Sequence, residues 1–380
     1  MKNSEKKITV VVAVVSLALL ISAVRGALVV SEFPICTEVN DQWFPAIYGD
    51  IVVWQDDRNG NYDIYGYDLS TGEEFQITTD ESDQWFPAIF ENIVVWQDDR
   101  NGNWDIYGYD LSNKEEFQIT KDENSQQHPA IYGDIVVWHD SRNRNWDIYG
   151  YNLSTNEEFQ ITTDSQDQYE PAIYGDIVVW TDVRNGHWDI YGYSLSKEAK
   201  FAISIDPDRQ RWPAIHGDTV VWQDERNGNC DIYGYSFSAN EEFQIITHKS
   251  TQAGPKLYEN ILVWIDYRNK NIFSDNLDVY GYDLLKEEEF QITTDRHNQG
   301  SSEIYGDIVV WEDDRNGNND IYYCRLTSAE SEERLVQEGQ LEEFVSWFEH
   351  LPLIRLIIII AAILSIPAAI ITMGRRSEPK

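Results

Sequence analysis

The chain has 380 residues and a formal net charge of −37. Residues 1–25 and 351–380 each carry +3, so the stretch between them carries −43. Such an acidic surface repels phosphate backbones, so we expect no nucleic-acid partner. Three cysteines (Cys36, Cys230 and Cys324) are too few for a disulfide scaffold, and no Cys/His cluster has zinc-ligand spacing. We therefore predict no cofactor and no resident metal.

The first 27 residues have the layout of a secretory signal peptide. Lys2, Lys6 and Lys7 precede an apolar run over residues 8–21, and small residues follow as far as Ala27. An uncleaved signal anchor is the alternative, but the apolar run is short for a membrane span. We predict a signal peptide at residues 1–27 and export of the rest of the chain.

One unit is repeated seven times over residues 28–327. A Trp that ends each apolar run marks the copies, and the successive spacings are 42, 42, 42, 42, 42 and 47 residues: Trp54, Trp96, Trp138, Trp180, Trp222, Trp264 and Trp311. A period near this value, with strand-like segments inside each unit, is typical of a β-propeller with one four-stranded blade per repeat. We predict an all-β fold, a seven-bladed β-propeller.

The last copy ends after its third strand, at Leu326, and the missing fourth strand is found at the start of the propeller. Residues 32–37 align with residues 74–79 of the first copy at an offset of 42. We predict that the N-terminal strand completes the last blade and closes the ring, which removes open sheet edges. In that hairpin register Cys36 and Cys324 share a face, so we predict a disulfide between them, with two free buried thiols as the alternative.

A hairpin motif, Asp-x-Arg-Asn-x-Asn-x-Asp, recurs in the copies and runs on into Ile-Tyr-Gly-Tyr-Asp-Leu, as in residues 56–69. This stretch resembles the repeat of TolB-type, WD40-like propellers over residues 32–326, and it is similar to the seven-copy propellers of archaeal surface proteins. The resemblance implies a propeller with a protein-binding role in the cell envelope and carries over no catalytic residue. We interpret the hairpin as a structural turn in which Arg pairs with carboxylates, with a calcium loop as the alternative.

A Gln stands at the start of every inner strand, and the residues beside it differ between copies. Residues that vary among near-identical blades are where a binding surface can be asymmetric. We predict that the ligand-binding residues lie there: Gln42, Trp43, Gln84, Trp85, Gln126, His128, Gln168, Tyr169, Gln210 and Trp212. The alternative is that the Gln side chains hydrogen-bond between blades and the aromatic residues cover the blade ends.

The C-terminal part has a different sequence pattern from the repeats. Leu341, Phe344, Val345 and Phe348 follow helical spacing, which predicts a juxtamembrane amphipathic helix or stalk at residues 328–350, with an oligomerisation helix as the alternative. Residues 351–374 are apolar enough to span a bilayer, and the basic tail at 375–380 is expected in the cytoplasm. We predict a single-pass protein of the cell membrane with an extracellular propeller.

No Ser/His/Asp order, phosphate-binding loop or isolated carboxylate pair stands out in the sequence. We therefore expect a non-enzymatic cell-surface module that binds an extracellular protein or a cell-envelope glycan, with at most weak divalent cation binding. Two alternatives stay open. One is a polysaccharide lyase or hydrolase that works in the propeller funnel, for which Glu170, His128 and Glu303 are candidates, and the other is a purely structural envelope component.

Overall fold

The computed structural model describes residues 31–270 and 276–326, and these residues form 28 β-strands. The predicted signal peptide (1–27), juxtamembrane helix (328–350), transmembrane helix (351–374) and tail (375–380) lie outside the described residues. Among the residues that are described, none belongs to a helix with the length and apolar character needed to cross a membrane.

The strands form seven antiparallel sheets of four strands, and each sheet is one blade. Blade 1 contains β2 (Gln42–Tyr48), β3 (Ile51–Asp56), β4 (Asp63–Asp68) and β5 (Glu73–Gln76); blade 2 contains β6 (Gln84–Phe90), β7 (Ile93–Asp98), β8 (Asp105–Asp110) and β9 (Glu115–Gln118); blade 3 contains β10 (Gln126–Tyr132), β11 (Ile135–Asp140), β12 (Asp147–Asn152) and β13 (Glu157–Gln160); blade 4 contains β14 (Gln168–Tyr174), β15 (Ile177–Asp182), β16 (Asp189–Ser194) and β17 (Ala199–Ser204).

The remaining three blades have the same order. Blade 5 contains β18 (Gln210–His216), β19 (Thr219–Asp224), β20 (Asp231–Ser236) and β21 (Glu241–Ile246); blade 6 contains β22 (Gln252–Tyr258), β23 (Ile261–Asp266), β24 (Asp278–Asp283) and β25 (Glu288–Gln291); blade 7 contains β26 (Gln299–Tyr305), β27 (Ile308–Asp313), β28 (Asp320–Arg325) and β1 (Glu32–Cys36). The predicted seven-bladed all-β propeller is therefore confirmed.

The core lies between neighbouring blades. The cluster around Trp96 joins Val53 and Ile64 of blade 1 to Ile89 and Val94 of blade 2, and equivalent clusters recur around the ring. The Trp side chain is fully buried in all seven blades, which is why its strand is apolar on both faces. Each indole Nε1 donates to the Asp two residues later, as Trp96 does to Asp98 over 3.0 Å, so the buried N–H keeps a partner.

The ring closes as predicted, because β1 pairs antiparallel with β28. Glu32 lies opposite Cys324, and its Oε2 atom is 2.7 Å from Arg315 Nη2. Glu32 thus supplies, from the other end of the chain, the outer-strand carboxylate that Glu74 supplies to Arg58 in blade 1 over 2.6 Å. The closed ring leaves no blade with an exposed third strand among the described residues.

The predicted disulfide between Cys36 and Cys324 is wrong, and both thiols are free and buried. The register shifts between Pro34 and Cys36, so Cys36 lies opposite Ile321 instead of a residue on the Cys324 face. One extra residue in a strand turns every later side chain to the other face of the sheet. The two thiols consequently pack into different cores, Cys36 with the blade 1 side and Cys324 with the blade 6 side.

Candidate functional site

The inner strands line a central channel. In β2 the side chains of Pro45 and Ile47 are buried, whereas Phe44, Ala46 and Tyr48 between and beside them are half-buried or exposed. The inner strands of neighbouring blades contact one another all the way around the ring. The three less buried positions of each strand therefore face the channel and form three tiers.

The mouth tier is the set of residues at the bulge of each inner strand: Phe44, Phe86, His128, Glu170, Trp212, Gly254 and Ser301. The middle tier lies two residues further along: Ala46, Ala88, Ala130, Ala172, Ala214, Lys256 and Glu303. The axial ring is formed by the last residue of each inner strand: Tyr48, Phe90, Tyr132, Tyr174, His216, Tyr258 and Tyr305.

The mouth tier opens on the face that carries the Asp-x-Arg-Asn hairpins, because Gln42 at the start of β2 pairs with Asp56 at the end of β3. The bulge gives every mouth-tier residue a positive φ, +52° at Phe44 and +56° at Trp212. L side chains rarely adopt this backbone conformation, and such residues concentrate at functional sites.

Four mouth-tier rings form an aromatic arc. The Phe44 and Phe86 centroids are 4.4 Å apart, Phe86 stacks on His128 at 4.2 Å, and Trp212 meets His128 edge-on at 6.4 Å. Phe44 is 37% exposed and Trp212 43%. Half-exposed, mutually supported rings are surfaces on which the apolar face of a sugar can stack.

A single acceptor position holds the bulges in place. Gln55, Gln97 and Gln223, each the residue after the core Trp, accept a hydrogen bond from the bulge N–H of the next blade, over 3.0–3.2 Å. In blade 4 this residue is Thr181, which is too short to reach. Glu170 takes its place, because its Oε2 accepts both the Thr181 hydroxyl at 2.9 Å and the Trp212 N–H at 3.1 Å.

Burial shifts the pKa values of Glu170, His128 and His139 at the mouth of the channel. It raises the pKa of Glu170, although the Trp212 N–H and the Thr181 hydroxyl act in the opposite direction. Burial lowers the pKa of His128 to about 4 and that of His139, whose ring centroid is 5.0 Å away, well below its usual value. Both imidazoles are therefore neutral at neutral pH.

The middle tier is alanine in five blades and an ion pair in the other two. Lys256 of blade 6 and Glu303 of blade 7 are joined by a contact of 2.8 Å between Nζ and Oε2. Their side chains are 43% and 24% exposed. A cation and a carboxylate thus face the channel side by side, where the repeat otherwise places methyl groups.

The mouth tier above this ion pair has only small residues, Gly254 and Ser301, so the aromatic arc lies on the other blades. We call the opening over blades 6 and 7 the notch. Behind it lies Glu312, which occupies the acceptor position of Gln55 and accepts the Phe44 N–H over 2.6 Å. Glu312 is 4% exposed, and burial raises its pKa to about 7.

The axial ring narrows the opposite end of the channel. Each ring contacts the next around the whole circle, with centroids 4.4–4.8 Å apart. Seven rings at this spacing lie on a circle of roughly 5 Å radius, and their own thickness leaves a bore of only a few ångströms. The channel is consequently a funnel that a sugar can enter from the mouth only.

The ten residues predicted to bind ligand separate into three groups. Gln42, Gln84, Gln126, Gln168 and Gln210 are 0% exposed, and their Nε2 atoms donate to the backbone carbonyl two residues earlier. These bonds lie within the segment that leads into each inner strand, whereas the alternative placed them between blades. Their amides fix the start of each inner strand, which explains why Gln recurs at this position of every copy.

The other predicted residues divide between the blade ends and the channel. Trp43 is half-buried on the hairpin side of its strand. Trp85 packs against Trp104 at 5.3 Å, and Tyr169 packs against Trp188 at 6.0 Å, so these side chains cover blade ends. His128 and Trp212 line the channel mouth.

The functional residues that the sequence did not single out are Lys256 and the axial ring in the channel, and Glu312 buried behind the notch. The available signal was the internal comparison of copies, in which Lys256 stands where five copies have alanine. Glu170, His128 and Glu303, named as candidates for an enzyme, all lie in the channel, the first two in the mouth tier and Glu303 in the middle tier.

The hairpin motif is structural. Asp56 accepts hydrogen bonds from Arg58 and from the Trp54 indole, and Asn59 donates to Asp63. The Arg58 guanidinium also lies 4.1 Å from the Tyr65 ring centroid, which adds a cation–π contact to the turn. Within residues 31–270 and 276–326, no group of three or more His, Cys, Asp or Glu side chains is placed to hold a metal ion.

Comparison with known proteins gives a likeness of fold. No protein-family model matches the sequence, and no curated protein matches it. An oligogalacturonate lyase from Vibrio parahaemolyticus is similar with a TM-score of 0.61 at 12% identity, over 80% of this chain and 98% of that chain. A puromycin-hydrolyzing peptidase from Mycobacterium tuberculosis has a TM-score of 0.62 at 11% identity, over 77% of this chain and 52% of its own.

A third similar structure is the β-propeller domain of the trilobed protease from Pyrococcus furiosus, with a TM-score of 0.59 at 13% identity, over 78% of this chain and 97% of that chain. The chain spans about half the length of the peptidase and nearly the whole length of the lyase. These comparisons overturn the expectation of a non-enzymatic binding module, because the solved structures that share this fold include enzymes. The chain is a seven-bladed β-propeller that resembles the TolB-type, WD40-like propellers in fold.

Proposed function

We propose that the protein is a carbohydrate-cleaving enzyme, a lyase that breaks an oligosaccharide at a uronate residue inside the funnel. The observation that carries this proposal is the Lys256–Glu303 pair, 2.8 Å apart in the middle tier where five blades have alanine. At these two adjacent channel-facing positions the sequence departs from the repeat. The departure places a carboxylate, which can act as an acid or a base, beside a cation.

The remaining funnel residues fit a sugar substrate. The aromatic arc of Phe44, Phe86, His128 and Trp212 provides ring faces on one side, and the notch over blades 6 and 7 leaves the ion pair open on the other. Carbohydrate sites combine such apolar faces with a few polar groups that fix orientation. A sugar stacked on the arc would have its polar edge toward Lys256 and Glu303.

Elimination needs a cation next to the substrate carboxylate and a base next to C5. In the proposed reaction the uronate carboxylate replaces Glu303 as the partner of the Lys256 ammonium. The ammonium neutralises the charge of the uronate carboxylate and thereby makes the C5 proton more acidic. Glu303, released from the ion pair, takes that proton. The C4–O4 bond breaks as the C4–C5 double bond forms, and the proton passes from Glu303 to the glycosidic oxygen, which leaves as the anomeric hydroxyl of the departing sugar.

The extent of the structural matches favours a lyase over a peptidase. The oligogalacturonate lyase is covered over 98% of its length, whereas the peptidase is covered over 52% of its length, so half of that protein has no counterpart here. The predicted export of the propeller and its C-terminal membrane anchor belong to the same proposal, and they would give the funnel access to extracellular glycans.

The test uses the full-length protein and a panel of uronate and neutral oligosaccharides. Formation of the unsaturated product is followed by its ultraviolet absorbance, and new reducing ends are counted in parallel. The variant Lys256→Ala/Glu303→Ala restores the alanine of five sister blades, so it should fold, and we expect at least about a hundredfold loss of activity. Lys249→Ala, an exposed lysine outside the channel, is the matched control.

Three results would overturn the proposal, and the first two concern the rate of cleavage. One is the absence of cleavage of every uronate oligosaccharide by the wild-type protein. The other is cleavage by Lys256→Ala/Glu303→Ala at the wild-type rate. New reducing ends without the unsaturated product would mean hydrolysis, which excludes the elimination described above.

A further inference from the structure

The end of the channel opposite the mouth is lined by the aromatic side chains of the axial ring. The seven axial-ring side chains are half-buried, and their planes are tilted by 47–53° from one neighbour to the next. Such a closed circle of rings presents electron-rich π systems and phenol oxygens around one axis. It lies on the face opposite the mouth, so it is separate from the lyase site proposed above.

The five tyrosines of the axial ring form two groups of neighbours. The ring centroid of Tyr305 is 4.7 Å from those of Tyr48 and Tyr258, and the Tyr132 and Tyr174 centroids are also 4.7 Å apart. Phe90 and His216 separate the two groups along the circle. Burial raises the pKa of Tyr48 to about 12, so its hydroxyl remains protonated and neutral at neutral pH.

Two glutamates stand beside the ring in an unfavourable backbone conformation. The residue after each axial-ring side chain has a positive φ, and five blades use Gly there, with φ between +56° and +61°. Blades 2 and 6 have Glu91 and Glu259 instead, both at +52°. Side chains are rarely found in this conformation, and residues that hold it are often functional.

Both glutamates act electrostatically on the ring. Glu91 raises the pKa of Tyr48, and Glu259 raises the pKa of Tyr174 and Tyr258, in each case after the larger effect of burial. The backbone N–H of Glu259 also donates to Nδ1 of His216 over 3.0 Å, which leaves the His216 proton on Nε2. Glu91 and Glu259 directly follow the axial-ring residues Phe90 and Tyr258, so the two glutamates are adjacent to the ring in blades 2 and 6.

There is open space next to the ring for a ligand. A cleft of about 280 Å³ between blades 2 and 3 is lined by Phe90, Glu91, Asp110 and Asp134, among other residues. Aromatic faces combined with carboxylates recognise organic cations, because the π systems and the charges attract the same ligand. An inorganic dication is not favoured, since the described residues provide no group of acidic side chains close enough together to coordinate one.

We propose that the axial ring, with Glu91 and Glu259, is a binding site for a small organic ammonium compound. The ammonium lies against the ring, where the charges of both glutamates attract it, and its alkyl part lies beside Phe90.

The chain offers a matched control for this site. Glu198 and Glu287 are also exposed glutamates at positive φ, +50° and +56°, in turns on the same face of the propeller. They lie in the turns between the third and fourth strands of their blades, toward the outer edge and away from the ring. Glu198→Gly/Glu287→Gly therefore removes the same charge from the same kind of turn without touching the proposed site.

The experiment is a calorimetric titration of the full-length protein with butylammonium, with butanol as the uncharged probe, at an ionic strength that screens the acidic surface. We expect saturable binding of butylammonium at one site and none of butanol. Glu91→Gly/Glu259→Gly should weaken binding at least about tenfold, and Glu198→Gly/Glu287→Gly less than about twofold. The glycines are those of the sister blades, so both variants should fold, and thermal unfolding checks this.

The proposal is overturned if butylammonium does not saturate. It is also overturned if the two double variants lose affinity equally, because the binding would then reflect the overall acidity of the protein.

Discussion

Replacing Glu312 with Gln should stabilise the propeller at neutral and alkaline pH and leave its stability unchanged at acidic pH. Glu312 is 4% exposed, and burial raises its pKa from 4.5 to about 7, against the effects of the Phe44 N–H and the Ser301 hydroxyl and with a further rise from Asp41. Three sister blades already have Gln at this position, with its side-chain oxygen accepting the same kind of backbone N–H. The substitution therefore keeps the hydrogen bond to Phe44 and removes only the ionisation.

The magnitude follows from the difference in pKa between the folded and unfolded states. A folded-state pKa above the unfolded value means that the folded protein binds the proton more tightly. The contribution of protonated Glu312 to the free energy of unfolding is therefore complete below about pH 4.5 and is lost as pH rises through about 7. A difference of about 2.5 units corresponds to at most about 3 kcal/mol. We expect Glu312→Gln to recover up to that amount above pH 7 and nothing at pH 4.

The measurement is denaturant unfolding of both proteins across this pH range, which gives the difference in free energy of unfolding at each pH. Gln55→Glu is the reciprocal control, because it introduces an ionisable group into the same position of another blade and should lose stability as pH rises. A free-energy difference between wild type and Glu312→Gln that does not change with pH would refute the reasoning.

Three other substitutions test the fold. Lys200→Glu places opposite Arg184 the outer-strand carboxylate that the six other blades have, and we expect a gain of about 0.2–1 kcal/mol in unfolding free energy, reduced by salt. Gly66→Ala should destabilise by about 1–3 kcal/mol in denaturant unfolding, because its Cβ would lie 2.6 Å from the Phe75 ring. Trp138→Ala should cost about 3–5 kcal/mol, read as a lower thermal midpoint, since the side chain is fully buried between blades; an unchanged midpoint would contradict the packing described here.

The sequence was sufficient for the architecture because every copy carries its own strand and turn signals. The spacing of the core tryptophans predicted the seven blades, and the offset of 42 between residues 32–37 and 74–79 predicted the closing strand. The disulfide prediction failed because the bulge before Cys36, which blades 4 and 5 also have at the equivalent position, leaves the repeat spacing unchanged and so cannot be read from the sequence. One inserted residue was enough to send the two thiols into different cores.

The site was harder to predict because the repeat conceals which positions face the axis. The Gln that recurs in all copies attracted attention, yet it is buried, and the channel begins two residues later, at the bulge. Hydrophobic alternation cannot separate a face that lines a narrow channel from one that packs against a neighbouring blade, since both are partly apolar. Lys256 and Glu303 became meaningful only when the register placed them side by side.

The pairing of β1 with β28 also determines when the molecule can become complete during synthesis. Glu32 and Arg315 are 283 residues apart in sequence and in direct contact, so the first strand to be made must wait for the last hairpin. Until then the earlier blades stack in order while a single edge stays open at each end of the incomplete ring. Because the two ends of the propeller lie on neighbouring strands, a circular permutant that joins them and opens the chain at another hairpin would move that final step to a different blade.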